Sequence, residues 1–297
     1  MQIEDDFFGN PQNFYNAGGA VNYPSEMQCF LEQMPRDNRI ELVIISVDQW
    51  IFNINYTGKL LEPDAESFID FSLNETLDFK NAMKQIIDDY TEQKLSIFQL
   101  LNHNNRIGVN AKVNGNGFLK DGSYYYDKRF LQKNNPDESY FADTFQRIED
   151  GNARFEYGEK INLDIVNQME ALLAYCKKNE IRVIGFEPPF AASVVKKLAE
   201  KGEEYKYMNE IPVKMLDVFQ KYQFEFYDYS DVSDLGCGEN SFFIDGFHGS
   251  DAVYIKMFQD MIEQGSCLKE YCDLDELINL YENRDSDVAV HGIIESL

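Results

Sequence analysis

Basic residues are scarce in this chain. Lys and Arg number 27 against 52 Asp and Glu, a formal charge of −25. A nucleic-acid backbone or an anionic lipid surface would repel such a protein, which argues against both as partners and leaves solubility as the first consequence of the charge. Long hydrophobic runs are missing too. No stretch approaches the roughly 20 apolar residues of a bilayer span, and Met1-Gln2-Ile3-Glu4-Asp5-Asp6 has neither the basic region nor the apolar core of a signal peptide. Cysteine is sparse: five residues, an odd number, with no Cys-x-x-Cys pair. That pattern lacks the ligand spacing of a zinc site and points to free thiols in a reducing compartment. There is one tryptophan, Trp50, and there are three histidines, His103, His248 and His291.

What is present is a folded composition. Hydrophobic residues make up 44% and aromatics 14% of 297 residues, enough to bury one large core or two small ones. Arg39–Val47 is a nearly unbroken β-branched run, as a strand buried on both faces requires. Ile181–Glu187, stopped by Pro188-Pro189, and Phe224–Tyr229 are further strands, and Asn13–Asn16 reads as a short one ended by Gly18-Gly19. Amphipathic helices are expected at Pro24–Met34, Asn162–Lys178, Ile211–Tyr222 and Ala252–Ile262, with a short terminal helix after Cys267. Strands alternating with such helices predict an α/β fold of three layers, α/β/α, around a mostly parallel sheet. Residues 74–101 read as helical. Residues 102–160, rich in Asn, Gly and Tyr, read as an insert or lid within a single domain spanning 1–297. Its tyrosines suit either a sugar face or simple packing against the domain.

Ligands of open α/β sheets bind beyond the carboxyl ends of the strands. Four segments belong there: Asn16-Ala17-Gly18-Gly19, Ser46-Val47-Asp48-Gln49-Trp50, Glu187-Pro188-Pro189-Phe190 and Asp245–Ser250. Gly18 and Gly19 allow backbone N–H groups close to a ligand, or make a plain turn before a helix. Asp48 and Gln49 end the most hydrophobic strand, where a polar side chain needs a partner or a cleft. His248 alone among the histidines has a carboxylate placed to orient it. Asp245, three residues before it, can accept from Nδ1–H and leave Nε2 to take a proton from a hydroxyl. The competing reading is a turn in which Ser250 caps the next helix. Asp245, His248 and Asp48 as metal ligands form a third reading, but no His or Cys cluster completes a shell, so neither a metal nor any other cofactor is expected.

The order Phe14-Tyr15-Asn16-Ala17-Gly18-Gly19, strand-Ser46-Val47-Asp48-Gln49-Trp50, strand-Phe186-Glu187-Pro188-Pro189 and Asp245-x-x-His248 resembles the SGNH/GDSL hydrolase superfamily. It is most similar to the cell-envelope branch that includes the teichoic-acid D-alanylation protein and polysaccharide O-acetylation proteins. The resemblance implies an acyl-ester hydrolase or O-acyltransferase. Asp245 and His248 would be its orienting acid and general base, and Gly18 or Gly19 its oxyanion donor. A glycan or an acylated small molecule would be the substrate. Two departures stand out. The nucleophilic serine of the superfamily precedes the Asn-x-Gly segment, and none of the fifteen residues before Asn16 is Ser, Thr or Cys. The chain is therefore expected to lack its first strand and to be inactive as it stands. A longer native chain would supply the serine and an N-terminal membrane anchor, placing the domain outside the cytoplasm. The other departure is Asp48-Gln49 in place of an Asn-Asp pair. An ionised Asp48 cannot donate to an oxyanion, so the side-chain donor would be Gln49, Asn53 or a protonated Asp48. The alternative is a non-catalytic module of the same fold that binds a glycan or a protein partner.

Overall fold

The computed structural model describes residues 3–18, 20–34, 39–56, 83–84, 87–88, 90–92, 117–125 and 141–290. Its elements in chain order are α1 (Pro24–Gln33), β1 (Leu42–Ser46), β2 (Gly117–Phe118), β3 (Tyr124–Tyr125), α2 (Ala142–Asp150), α3 (Leu163–Lys178), β4 (Arg182–Glu187), α4 (Ala192–Lys201), α5 (Lys206–Lys221), β5 (Glu225–Asp228), α6 (Asp251–Glu263) and α7 (Leu274–Glu282). Strands β1, β4 and β5 form a parallel sheet in that order, with Ser46 opposite Phe186 and Glu187 opposite Asp228. The chain is thus an α/β protein, and its strand-forming runs are the three expected from their β-branched and aromatic content.

Helices cover both faces of this sheet. Gly185 on β4 lies against the ring of Phe219 on α5, while its neighbour Phe186 points the other way and meets Tyr254 of α6 at 6.1 Å, edge to face. The alternation of side chains along a strand separates the two layers. On α3 the residues at helical spacing, Ile165, Met169, Leu172, Leu173 and Cys176, are all buried. That helix starts where Asn162 accepts a hydrogen bond from the Asp164 N–H (3.0 Å), an N-cap. The equivalent stripe of α1 behaves differently: Met27, Phe30, Leu31 and Met34 are only half-buried, because they face a cavity beside β1.

Three segments depart from the sequence-based expectation. Asn13–Asn16 is not a strand. Pro11–Asn13 is a turn of 3₁₀ helix and extended backbone follows it, tied down by the Asn16 N–H donating to the Asp121 carbonyl (2.6 Å) and by Asn16 Nδ2 donating to the Ile3 carbonyl (2.9 Å). Secondly, α5 begins at Lys206, before the expected Ile211, and carries Pro212 inside it. The third is residues 141–160 of the expected insert. They include α2 and bury Phe141, Ile148 and Phe155, so this part belongs to the domain core. Tyr205 locks it by donating to the carbonyls of Ile148 and Phe155 (2.9 and 2.8 Å). Of the remainder, 117–125 form the β2–β3 hairpin, whereas 102–116 and 126–140, like most of 74–101, lie outside the described residues. All five cysteines are free. Among the described residues no helix is long and apolar enough to cross a membrane.

The contact at Gly185 gives a direct test of the layer packing. A β-carbon there would collide with the Phe219 ring, and overpacking of this kind costs about 1–3 kcal/mol. Gly185→Ala is expected to lower the melting temperature by several degrees, and adding Phe219→Leu to recover part of the loss. Additive effects of the two substitutions in calorimetry would show that they do not share this contact.

Candidate functional site

The segment Phe243–Gly249 is a small closed loop at the carboxyl edge of the sheet. Phe243 and Gly249 form an isolated antiparallel bridge, and the Ile244 N–H donates to the His248 carbonyl (2.9 Å). Gly246 sits at its tip with φ of +95°, where a side chain would also press on Val194 and Phe141. Two neighbours hold the loop from outside. The Ala191 N–H, at the start of α4, donates to the Gly246 carbonyl (2.8 Å), and buried Thr144 on α2 donates to the Asp245 carbonyl (2.7 Å).

Within this frame the carboxylate of Asp245 is fully engaged. Its Oδ1 accepts from the N–H groups of Phe247 and His248 (3.3 and 3.0 Å), and Oδ2 lies 2.7 Å from Nδ1 of His248. An ionised carboxylate only accepts, so Nδ1 is the donor in this contact. The two side chains are 29% and 33% exposed, so the pair reaches solvent. Phe247 flanks the imidazole with ring centroids 4.2 Å apart. Ser250 stands at the N-cap position of α6, but its hydroxyl donates to the Asp287 carbonyl (2.9 Å) and does not cap.

His248 lines a cavity of about 1150 Å³ that also receives Gly18, Ser46, Asp48, Gln49, Trp50 and Phe190. The structure therefore brings most of the candidate segments to one place. Their individual states differ from the expected roles. The Gly18 N–H donates to Asn16 Oδ1 (2.9 Å), an Asx turn, so it is already engaged. Gly19 lies outside the described residues. Asp48 accepts from the Ser46 hydroxyl (2.6 Å), and buried Gln49 donates Nε2 to the Pro188 carbonyl (2.6 Å). Ser46 is the one serine among the described lining residues, and it is bonded to Asp48, not to His248. Asn53 donates to the Glu156 carbonyl and accepts from the Asn55 N–H (2.9 Å). Among the described residues there is no group of three or more His, Cys, Asp and Glu side chains placed to hold a metal ion.

One lining residue, Arg154, has no clear sequence signal, and one buried acid of the expected segments, Glu187, stands behind the lining rather than in it. Arg154 lies over the Trp50 ring at 4.9 Å and lines the cavity. It is held there by consecutive left-handed residues, Ala153 (φ 50°) and Arg154 (φ 82°), a costly conformation that only the surrounding fold selects. Glu187 stands at the end of the central strand, 1% exposed, with Oε2 unpartnered. Its burial, with Asp228 on the neighbouring strand, pushes its carboxyl well above the usual carboxylate range despite the Gln49 amide beside it. The neutral acid is thereby favoured in the folded chain.

No family model, curated protein or solved structure matches this chain.

Two predictions follow from these contacts. In nitrogen-15 NMR at alkaline pH, His248 is expected as the Nδ1–H tautomer, and Asp245→Asn, whose amide would donate to Nδ1, should move the proton to Nε2. An Nε2–H signal in the unmodified protein would contradict the geometry. For Glu187 the folded pKa is raised, so the folded state keeps a proton that the unfolded state releases above its own pKa of about 4.3. This group therefore lowers stability as pH rises from the unfolded pKa toward the folded one. Glu187→Gln should raise the melting temperature relative to the parent at pH 8, with a gap that shrinks toward pH 4. A gap independent of pH would mean that the carboxyl is not the cause.

Proposed function

We propose that this chain has an SGNH-hydrolase-like fold and carries the acid–base pair of an acyl-ester hydrolase or O-acyltransferase that acts on a cell-envelope polysaccharide. The observation that carries the reading is the Asp245–His248 pair, 2.7 Å apart, at the mouth of a cavity beyond the carboxyl edge of a parallel sheet. His248 takes the proton of a hydroxyl as that oxygen attacks the acyl carbonyl. It then returns the proton to the departing alcohol as the tetrahedral adduct collapses. Water in hydrolysis, or an acceptor hydroxyl in transfer, repeats the cycle on the acyl intermediate. Asp245 keeps the ring in the required tautomer and stabilises the imidazolium that forms. Trp50, Phe190 and Phe247 give the cavity aromatic surfaces of the kind a sugar ring packs against. On this reading the nucleophilic hydroxyl comes from a source other than the described lining residues. The polysaccharide and the extracytoplasmic setting rest on the resemblance of the motifs.

A second reading is favoured by three observations: Ser46 is bonded away from His248, the Gly18 N–H is occupied, and Asp48 stands where a donor is needed. On that reading the chain is a non-catalytic module that binds a glycan or a protein partner in the same cavity.

The deciding assay is hydrolysis of p-nitrophenyl acetate, and acetate release from O-acetylated polysaccharide, by the native protein purified from its own cells. The catalytic reading expects turnover that falls by roughly 10²–10⁴ in His248→Ala. Turnover that survives the substitution would sink the assigned mechanism. An inert native protein that binds oligosaccharide saturably would hand the site to the second reading.

A further inference from the structure

The sheet has an edge that nothing described closes. The Arg182 N–H donates to the Glu41 carbonyl (3.0 Å) and the Val47 N–H donates to the Phe186 carbonyl (2.8 Å). These bonds fix the odd-numbered residues from 41 to 47 as those whose peptide groups face β4. Alternation along the strand then turns the N–H and C=O groups of Leu42, Ile44 and Ser46 toward the opposite side. Among the described residues no backbone group pairs with them. β1 also carries none of the devices that protect a natural edge: Leu-Val-Ile-Ile-Ser has no proline, no lysine, no charge and no bulge.

The open edge is one wall of the 1150 Å³ cavity. That volume exceeds the usual 300–1,000 Å³ of a small-molecule pocket. Met27, Phe30 and Leu31 of α1 bound the cavity on one side, and Phe8 and Tyr254 on the other. A space with half-buried apolar walls and a row of alternating donors and acceptors along one side is complementary to a peptide backbone. A lipid or an aromatic ligand would satisfy the walls and leave the backbone groups unpaired.

We propose that the edge of β1 is a docking slot for an extended polypeptide strand of about five residues, which adds to the sheet parallel to β1 and places its apolar side chains against α1. Parallel strands need cover on both faces, and the cavity supplies it. Charge narrows the occupant further. Glu41 and Asp48 line the slot with Arg39 and Arg154, Glu270 there being paired with Arg182, so the slot is locally balanced and the −25 of the whole chain disfavours an acidic strand. The strand is therefore apolar in its centre with neutral or basic flanks. A parallel strand brings its carboxyl-terminal residues to the mouth where His248 stands, so the occupant also shapes the candidate site. The slot does not depend on the chemistry assigned to that site.

The test uses the full chain and a displayed library of random nine-residue peptides, the selected sequences then being synthesised. Without peptide, the amides of Leu42, Ile44 and Ser46 should exchange with deuterium faster than those of Val43, Ile45 and Val47. A selected peptide should slow the first three at least tenfold. Ile44→Pro removes an outward N–H and no bond to β4, so the protein should stay folded by circular dichroism and lose at least tenfold in peptide affinity. Leu42→Pro, at the other outward position, gives a second reading should the first variant unfold. Peptide affinity is read with no ester substrate present, which keeps failure of the slot separate from failure of the acyl-transfer reading. Three results would overturn the proposal: those amides already protected in the free chain, selected peptides that leave them unprotected or bind the proline variants equally well, and a library that yields no binder.

Discussion

The position of β4 between β1 and β5 is the constraint on which the remaining structure depends. Its residues are buried on both faces, with only Arg182 at its start half-exposed. Each face must therefore be matched by a helix of complementary shape. Gly185 admits Phe219 of α5 where any larger residue would collide, and Phe186 on the reverse reaches α6. The strand then ends at Glu187-Pro188-Pro189, where proline can continue neither a strand ladder nor a helix. The chain is forced out of the sheet at the level of the His248 loop. The Ala191 N–H that follows holds Gly246, so the end of the central strand fixes the frame of the catalytic candidate directly.

That frame explains why the Asp245–His248 pair is ordered although it is part-exposed. An isolated surface carboxylate–imidazole contact would be worth little. Here Asp245 is held by two backbone N–H groups through one oxygen, while its own carbonyl is held by Thr144 from another helix. The ring is placed by the backbone and not by the side-chain contact alone. The buried acid at Glu187, its pKa raised by desolvation, lies at the end of the same strand and serves a different end. Its desolvation is a stability cost above the pKa of the unfolded chain, carried at the carboxyl edge where sites usually form.

The legible part of the molecule was what local patterns encode. β-branched runs marked the three strands of the parallel sheet, and the helical stripe of α3 marked all of its buried face but Val166. Asp-x-x-His at a glycine-containing turn identified the pair, because three residues of separation suffice for a side-chain bond closed within one loop. What was hidden depends on partners distant in sequence. Asn13–Asn16 has strand-like composition, but the hairpin residue Asp121 and Ile3 take its hydrogen bonds, so it joins no sheet. Residues 141–160 looked like lid because α2 is short and, of their core residues Phe141, Ile148 and Phe155, only Ile148 lies within it. Arg154 reaches Trp50 through two left-handed residues that no propensity favours. Gly18 was read from its freedom, whereas its neighbour Asn16 had already engaged its N–H.

The half-buried stripe of α1 joins these strands of argument. Met27, Phe30, Leu31 and Met34 have the spacing of a core-facing helix, and α3 beneath them shows what that spacing does when its face is filled. On α1 the face is opposite a cavity, and the neighbouring strand edge is unpaired for the same reason: among the described residues, no layer lies between them. Hydrophobic residues kept at core spacing on a helix, next to an unprotected β-edge, carry a cost in aggregation that a monomer gains nothing from bearing. The two features are consistent with each other only if that space is filled when the protein is at work. A filled slot would also bring a fourth strand end to the mouth of the cavity, beside the Asp245–His248 pair.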